Sequence, residues 1–167
     1  MSLRKKDLFW LLLYPLYQIV STFRHEGGHA LAAVLEGARV ERFVFWPSLN
    51  QGQFYWGYVQ WQGQASWFSL GAPYPIDLLT AALALLLLWR FTNLPRWLWL
   101  NIGVVGLLSP LVNSAYNYLG GWLRSGSDVG RLLVLLPPVW VHLYFWLTLA
   151  AYAAAIGWVL RRKKAAA

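Results

Sequence analysis

Long apolar runs constrain this chain more than any other feature of its sequence. They lie at about residues 8–35, 76–89, 97–118 and 139–160. Roughly 20 apolar residues of helix, with a range near 17–25, cross a bilayer core. Only 12% of the residues are charged, against about 25% in soluble domains. We therefore predict an all-α integral membrane protein with about four transmembrane helices, folded as one domain over residues 1–167.

The N-terminus has the basic start and apolar core of a signal peptide. The apolar run continues past a normal signal-peptide core, however, and no A-x-A cleavage site ends it. We expect this segment to be retained as the first span.

A different pattern separates the first two apolar runs, at about residues 40–70. VERFVF alternates in part, FYWGYVQW is rich in aromatic and β-branched residues, and NQG lies between them. This combination predicts a β-hairpin or small sheet inserted between helices one and two. Its tryptophans and tyrosines favour a position at the membrane interface, where paired strands satisfy their own backbone hydrogen bonds.

The formal net charge of +8 does not indicate nucleic acid, because the basic residues flank the apolar runs. If the N-terminus is cytoplasmic, nine basic residues face the cytoplasm and four face the other side. The nine are Arg4, Lys5, Lys6, Arg90, Arg96, Arg161, Arg162, Lys163 and Lys164, and the four are Arg39, Arg42, Arg124 and Arg131. This bias predicts a multi-pass protein of the cell membrane with both termini in the cytoplasm.

The first run carries a polar motif, HEGGH, in the segment FRHEGGHALA at residues 23–32. Ionisable groups in a span are costly and usually functional, which argues against two surface histidines. Residues four apart share a helix face, so His25 and His29 can both reach one ion. Glu26 can take a proton from a water on that ion. Imidazole ligands indicate one zinc ion per chain, and the absence of cysteine excludes thiolate ligands.

A third protein ligand is needed, and the sequence offers several candidates. His142 lies in the fourth run, Asp77 opens the second, and Glu36 and Glu41 stand too near the end of the first helix to fold back easily. Asp128 fits best, because it lies alone in a Gly/Ser-flanked turn on the same side as the motif. The alternative is that Asp128 caps the short helix that follows it. Spacing leaves both roles open.

HEGGHALAAVLEG, followed by the predicted hairpin and a later Asp, resembles the site-2 protease superfamily, and more narrowly the small M50B-like membrane peptidases. Their HExxH motif lies on a transmembrane helix, and their third zinc ligand is an Asp from a later segment, often in N-G-S-D. The resemblance implies His25, His29 and Asp128 as zinc ligands and Glu26 as the catalytic base. The chain departs from the family at SPLVNSAYNYLGGWLRSGSDVGRLL. It lacks the N-x-x-P-x-x-x-L-D-G pattern of the best-known members, and it has no PDZ insertion.

Asn113 and Asn117 lie four residues apart near the far end of the third run. The resemblance implies that Asn near the Asp ligand positions the substrate backbone or an oxyanion. The alternative is hydrogen bonding between helices, which contributes roughly 0.6 kcal/mol per bond in membranes. Arg24 is expected to extend its charged end to the interface, and His142 to be a core or interface histidine.

These features predict a zinc-dependent, membrane-embedded metalloendopeptidase of the HExxH type. Its partners would be a membrane protein or peptide substrate and the lipid bilayer, with no nucleic acid. The alternative is a catalytically inactive membrane scaffold that keeps the metal motif and binds a partner through the aromatic insertion. A transporter is disfavoured, because the sequence has no pair of interrupted helices and no inverted repeat.

Overall fold

The computed structural model describes residues 12–50, 52–64, 66–124 and 126–165, and most of these residues are helical. A π-helical segment, Val104–Leu108, joins the helix Arg96–Gly103 to the helix Ser109–Leu123 without a break. The helices are α1 (Tyr14–Leu35), α2 (Trp67–Gly71), α3 (Pro73–Arg90), α4 (Arg96–Gly103), α5 (Ser109–Leu123), α6 (Asp128–Leu135) and α7 (Pro138–Ala165). The prediction of a mainly helical chain is confirmed.

Three helical stretches in the described ranges are long and apolar enough to cross a membrane: Trp67–Arg90, Arg96–Leu123 and Pro138–Arg162. Each contains one of the predicted runs and extends beyond it. The first predicted span is not confirmed, since α1 does not belong to this set. Its polar segment, which includes Arg24 and Glu26, makes α1 less apolar than the other long helices. The predicted start of that span, residues 8–11, lies outside the described residues, as do Arg4, Lys5 and Lys6.

The strands of the described part lie between α1 and α2. They are β1 (Arg39–Val44), β2 (Ser48–Asn50), β3 (Gln53–Tyr55) and β4 (Tyr58–Gln62). β1 pairs antiparallel with β4, with an irregularity between Val40 and Arg42. β2 pairs antiparallel with β3. The β1–β4 pair packs against α1, which brings the insertion over the helix that carries HEGGH.

The helices bury two apolar clusters. The first joins α2, α3, α5, α6 and α7 near the HEGGH end of α1, and consists of Leu70, Tyr74, Tyr118, Val129, Leu132, Val141 and Phe145. The second joins α3, the π-helical segment and α7, and consists of Ala81, Ala84, Leu88, Leu107, Tyr152 and Val159. Outward-facing leucines such as Leu79, Leu83 and Leu86 stay at least half exposed, as lipid-facing side chains would.

Candidate metal centre

α1 presents the two motif histidines on its buried face. His25 and His29 are four residues apart in the helix, and they are only 6% and 3% exposed. Their rings lie edge to face, with centroids 4.8 Å apart. Helical periodicity therefore gives the shared face that the motif predicts.

α6 brings the third group. Its N-cap is Ser127, whose hydroxyl accepts a hydrogen bond from the backbone N–H of Gly130 at 3.2 Å. Asp128 follows as the first helical residue, so its carboxylate is free of the capping role. The Asp128 Oδ2 atom lies 3.2 Å from Nε2 of His29 and 3.7 Å from Nε2 of His25. Ser127, and not Asp128, therefore caps α6.

The two histidine–carboxylate distances of this cluster match the spacing of ligand atoms around a small tetrahedral cation. One ligand atom each from His25, His29 and Asp128 all lie within 4.8 Å of one another. Zinc–ligand bonds of about 2.0–2.2 Å place neighbouring ligand atoms of a tetrahedron roughly 3.3 Å apart. The two measured histidine–carboxylate distances lie on either side of that value. No other group of three or more potential metal ligands is found among the described residues.

The hydrogen bond of His29 gives a second, chemical test of the fit. Its Nδ1 lies 2.7 Å from the backbone carbonyl oxygen of Ser69. A carbonyl oxygen only accepts, so Nδ1 carries the hydrogen and a neutral ring has its lone pair on Nε2. That lone pair faces a carboxylate oxygen at 3.2 Å, so a proton or a cation must lie between them. Metal-ligating histidines commonly donate their other N–H to a carbonyl in this way.

Asp128 is also held as an anion. Desolvation alone would raise the pKa of its carboxyl. The charge of His29, its hydrogen bond at 3.2 Å and the neighbouring His25 outweigh desolvation and hold that pKa well below its usual range. A carboxylate rather than a carboxylic acid is what a metal ligand requires.

Glu26 lies beside the cluster under the β insertion. It is close enough to His25, His29 and Asp128 for electrostatic interaction with all three. The turn before β4 passes directly over it: a Cβ atom added to Gly57 would lie 3.1 Å from Cγ of Glu26 and 2.3 Å from Cγ2 of Thr22. Only a glycine allows the insertion to approach α1 this closely.

Asp77 and Arg24 are placed differently from the expectation. Asp77 is fully buried and is not part of the cluster. Its Oδ1 accepts a hydrogen bond from Nε of Arg24 at 2.6 Å, and the Arg24 side chain is 14% exposed. The expectation that Arg24 reaches the interface is therefore wrong, because a buried carboxylate on α3 offers a stronger partner for its guanidinium.

Asn113 connects that ion pair to the cluster. Its Nδ2 lies 2.7 Å from Oδ2 of Asp77 and 3.1 Å from Nδ1 of His25. Asn117 donates from its Nδ2 to the backbone oxygen of Asn113 at 2.9 Å and to its Oδ1 at 3.1 Å. Both amide nitrogens are thus engaged within the protein. The bonds of Asn113 connect α5 with α1 and α3. Such hydrogen bonding between helices is the alternative to a role in substrate binding.

The remaining candidates lie away from the cluster. His142 pairs through Nδ1 with the hydroxyl of Tyr118 at 2.9 Å, in line with a core or interface role. Glu36 accepts a hydrogen bond from Ser66, and Glu41 lies on β1.

Sequence reasoning missed the contacts of Ser69, Gly57 and Asp77. Ser69 contributes its backbone oxygen, and Gly57 allows the insertion to approach α1 closely. Neither contact produces a recognisable sequence motif. Asp77 did leave a signal, since a carboxylate inside an apolar run needs a partner. Arg24 is a basic residue inside another apolar run. A predicted ion pair between Arg24 and Asp77 would have identified this contact.

Comparison with known proteins adds nothing to this geometry. No protein-family model, curated protein or solved structure matches the chain.

Proposed function

We propose that this chain is a membrane-embedded, zinc-dependent metallopeptidase, similar to the site-2 protease superfamily. The observation that carries the proposal is the convergence of His25, His29 and Asp128 within 4.8 Å, with Glu26 beside them. Its substrate would be a membrane protein or peptide that reaches the site from the bilayer. The first helix, α1, would be embedded with the three apolar spans, and it packs against two of them, Trp67–Arg90 and Arg96–Leu123.

Each residue would have a distinct part in hydrolysis. His25, His29 and Asp128 would hold the ion, with Ser69 fixing the ring of His29. Bound zinc would lower the pKa of a water ligand to about 7 and polarise the scissile carbonyl. Glu26 would accept the proton that the attacking water loses and deliver it to the leaving amine. The turn at Gly57 would limit access of bulk water to that carboxylate.

Two variants and one control test this assignment in protein purified into detergent or nanodiscs. Glu26→Gln should keep near-stoichiometric zinc while cleavage of a transmembrane peptide falls by roughly 10²–10⁴-fold, the usual contribution of acid–base catalysis. Asp128→Ala should lose both cleavage and bound zinc. His142→Gln, which changes the histidine outside the cluster, should keep both properties.

Two results would contradict the proposal. Cleavage at the wild-type rate by Glu26→Gln would refute the role of Glu26. A folded wild-type protein without zinc and without cleavage would favour the inactive scaffold instead.

A further inference from the structure

We propose that Asn113 is a positioning residue that selects the tautomer of His25, and that the Arg24–Asp77 ion pair determines which amide atom Asn113 presents. The inference uses the proposed metal site only for its consequence on metal affinity. The tautomer itself is a property of the metal-free protein.

The first step is the state of Asp77. Its carboxyl group is fully buried, and Nε of Arg24 lies 2.6 Å from Oδ1. Arg24 also lies 3.5 Å from the carbonyl oxygen of Val105, in the π-helical segment, and 3.5 Å from Oγ of Ser21. A guanidinium stays charged in proteins. A carboxylate paired with a guanidinium offers only acceptors to its other neighbours.

The Asp77 carboxylate fixes the orientation of the Asn113 amide. The atom that lies 2.7 Å from Oδ2 of Asp77 must be the nitrogen, because an amide oxygen at that distance from a carboxylate would be repelled. The Asn113 oxygen then points to Nδ2 of Asn117 at 3.1 Å, which is a proper donor–acceptor pair. Both neighbours therefore agree on the orientation of this amide.

The third step concerns His25. The same Asn113 nitrogen lies 3.1 Å from Nδ1 of His25, and its second hydrogen is available for that contact. Nδ1 must then be the accepting nitrogen, and a neutral ring carries its hydrogen on Nε2. His29 has the opposite arrangement, with the hydrogen on Nδ1 facing Ser69. The Nδ1 atoms of the two motif histidines thus have opposite roles, because that of His25 accepts a hydrogen bond and that of His29 donates one.

The hydrogen on Nε2 of His25 opposes metal binding at that nitrogen. A metal takes the lone pair of Nε2, the nitrogen that faces Asp128 at 3.7 Å. The hydrogen must then move to Nδ1, where the Asn113 N–H opposes it. An acceptor at position 113 would instead favour metal binding, as carboxylates do when they accept the other ring N–H of a ligating histidine.

A residue swap tests this directly. The double variant Asp77→Asn with Asn113→Asp keeps the same groups and the same net charge, but places the carboxylate beside His25. We expect ¹⁵N NMR of histidine-labelled, metal-free protein to show His25 Nδ1 unprotonated in the wild type and protonated in the swap. Zinc affinity, measured by chelator competition, should rise about 10-fold or more, the usual scale of outer-shell effects.

Asn113→Leu serves if the swap does not fold. In this variant the Nδ1 resonance should move to that of a nitrogen without a hydrogen bond, and zinc affinity should equal or exceed that of the wild type. Thr148→Val is the matched control, because within the described residues the buried Thr148 hydroxyl bonds only to its own helix, at Tyr144 and Phe145. It should change neither readout.

A protonated Nδ1 on His25 in the metal-free wild type would overturn the inference, as would a swap or an Asn113→Leu variant that binds zinc more weakly. These outcomes are separate from failure of the proposed peptidase, which is read from zinc content and cleavage. The tautomer can be as inferred in a protein that never cleaves a peptide.

Discussion

The two adjacent glycines of HEGGH differ sharply in their surroundings, and this difference gives a prediction with its own internal control. A Cβ atom added to Gly28 would lie 3.0 Å from Cα of Pro73 and 3.1 Å from Cδ1 of Ile76. The same atom on Gly27 would meet no atom of the described residues within 4 Å beyond the backbone and adjacent residues of its own helix. Gly28→Ala should therefore destabilise the fold relative to Gly27→Ala, although both variants add one methyl group to neighbouring positions of one helix.

The size of the effect follows from cancellation. Each substitution gains about 1 kcal/mol of helix propensity, and this gain is equal in the two variants. Carbon atoms pack best at about 3.5–4.0 Å, so Gly28→Ala also forces α1 and α3 apart. The Ile76 methyl group can rotate away, but the Pro73 backbone cannot. Overpacking of this kind costs about 1–3 kcal/mol, which is the expected difference in unfolding free energy between the variants.

Denaturant titration in micelles, followed by tryptophan fluorescence, measures that difference when the slopes of the two curves agree. Equal unfolding free energies for Gly28→Ala and Gly27→Ala would refute the close packing of α1 on α3. A lower unfolding free energy for Gly28→Ala than for Gly27→Ala would assign Gly28 a role in packing α1 on α3.

Two further predictions concern the residues around the cluster. Arg24→Leu should lower the unfolding free energy by about 3–5 kcal/mol, because it leaves the Asp77 carboxylate buried and unpaired, whereas Arg24→Leu with Asp77→Leu should cost much less; a double variant as unstable as the single would contradict the ion pair. Ser127→Ala should cost about 1 kcal/mol by removing the α6 cap and should weaken zinc binding, because Asp128 becomes the next available capping group. Ser127→Asp should restore stability, and an unchanged unfolding curve for Ser127→Ala would argue against the cap.

Much of the helical layout was predictable, because lipid imposes a simple rule of length and apolarity. The runs at 76–89, 97–118 and 139–160 lie within the three candidate spans Trp67–Arg90, Arg96–Leu123 and Pro138–Arg162. The ends were underestimated, since helical hydrogen bonding continues through the flanking prolines, tryptophans and arginines, which hydropathy does not count. The run at 8–35 is not confirmed as a span, because polar residues such as Arg24 and Glu26 make α1 less apolar than the three candidate spans.

The candidate site was predictable only where local rules apply. Helical spacing alone places His25 and His29 on one face, and a Gly/Ser-flanked acidic residue singles out Asp128. The Arg24–Asp77 contact joins residues 53 positions apart, and no periodicity encodes such a pair. The Ser69 oxygen and the Gly57 approach are backbone features, so their side chains carry no trace of them. Three-dimensional packing decides each of these contacts.

The buried ion pair next to the motif also bears on why an arginine precedes the first histidine. A charge pair inside a helical bundle is weak support for stability, since apolar replacements of similar size are often as stable. Here the Asn113 amide links Asp77 of the pair to His25 through hydrogen bonds. An apolar residue in place of Asp77 could not orient that amide. If the double replacement Arg24→Leu with Asp77→Leu folds well but alters the tautomer of His25, the pair serves the site rather than the fold. If it folds well and the tautomer is unchanged, Arg24 and Asp77 only neutralise each other.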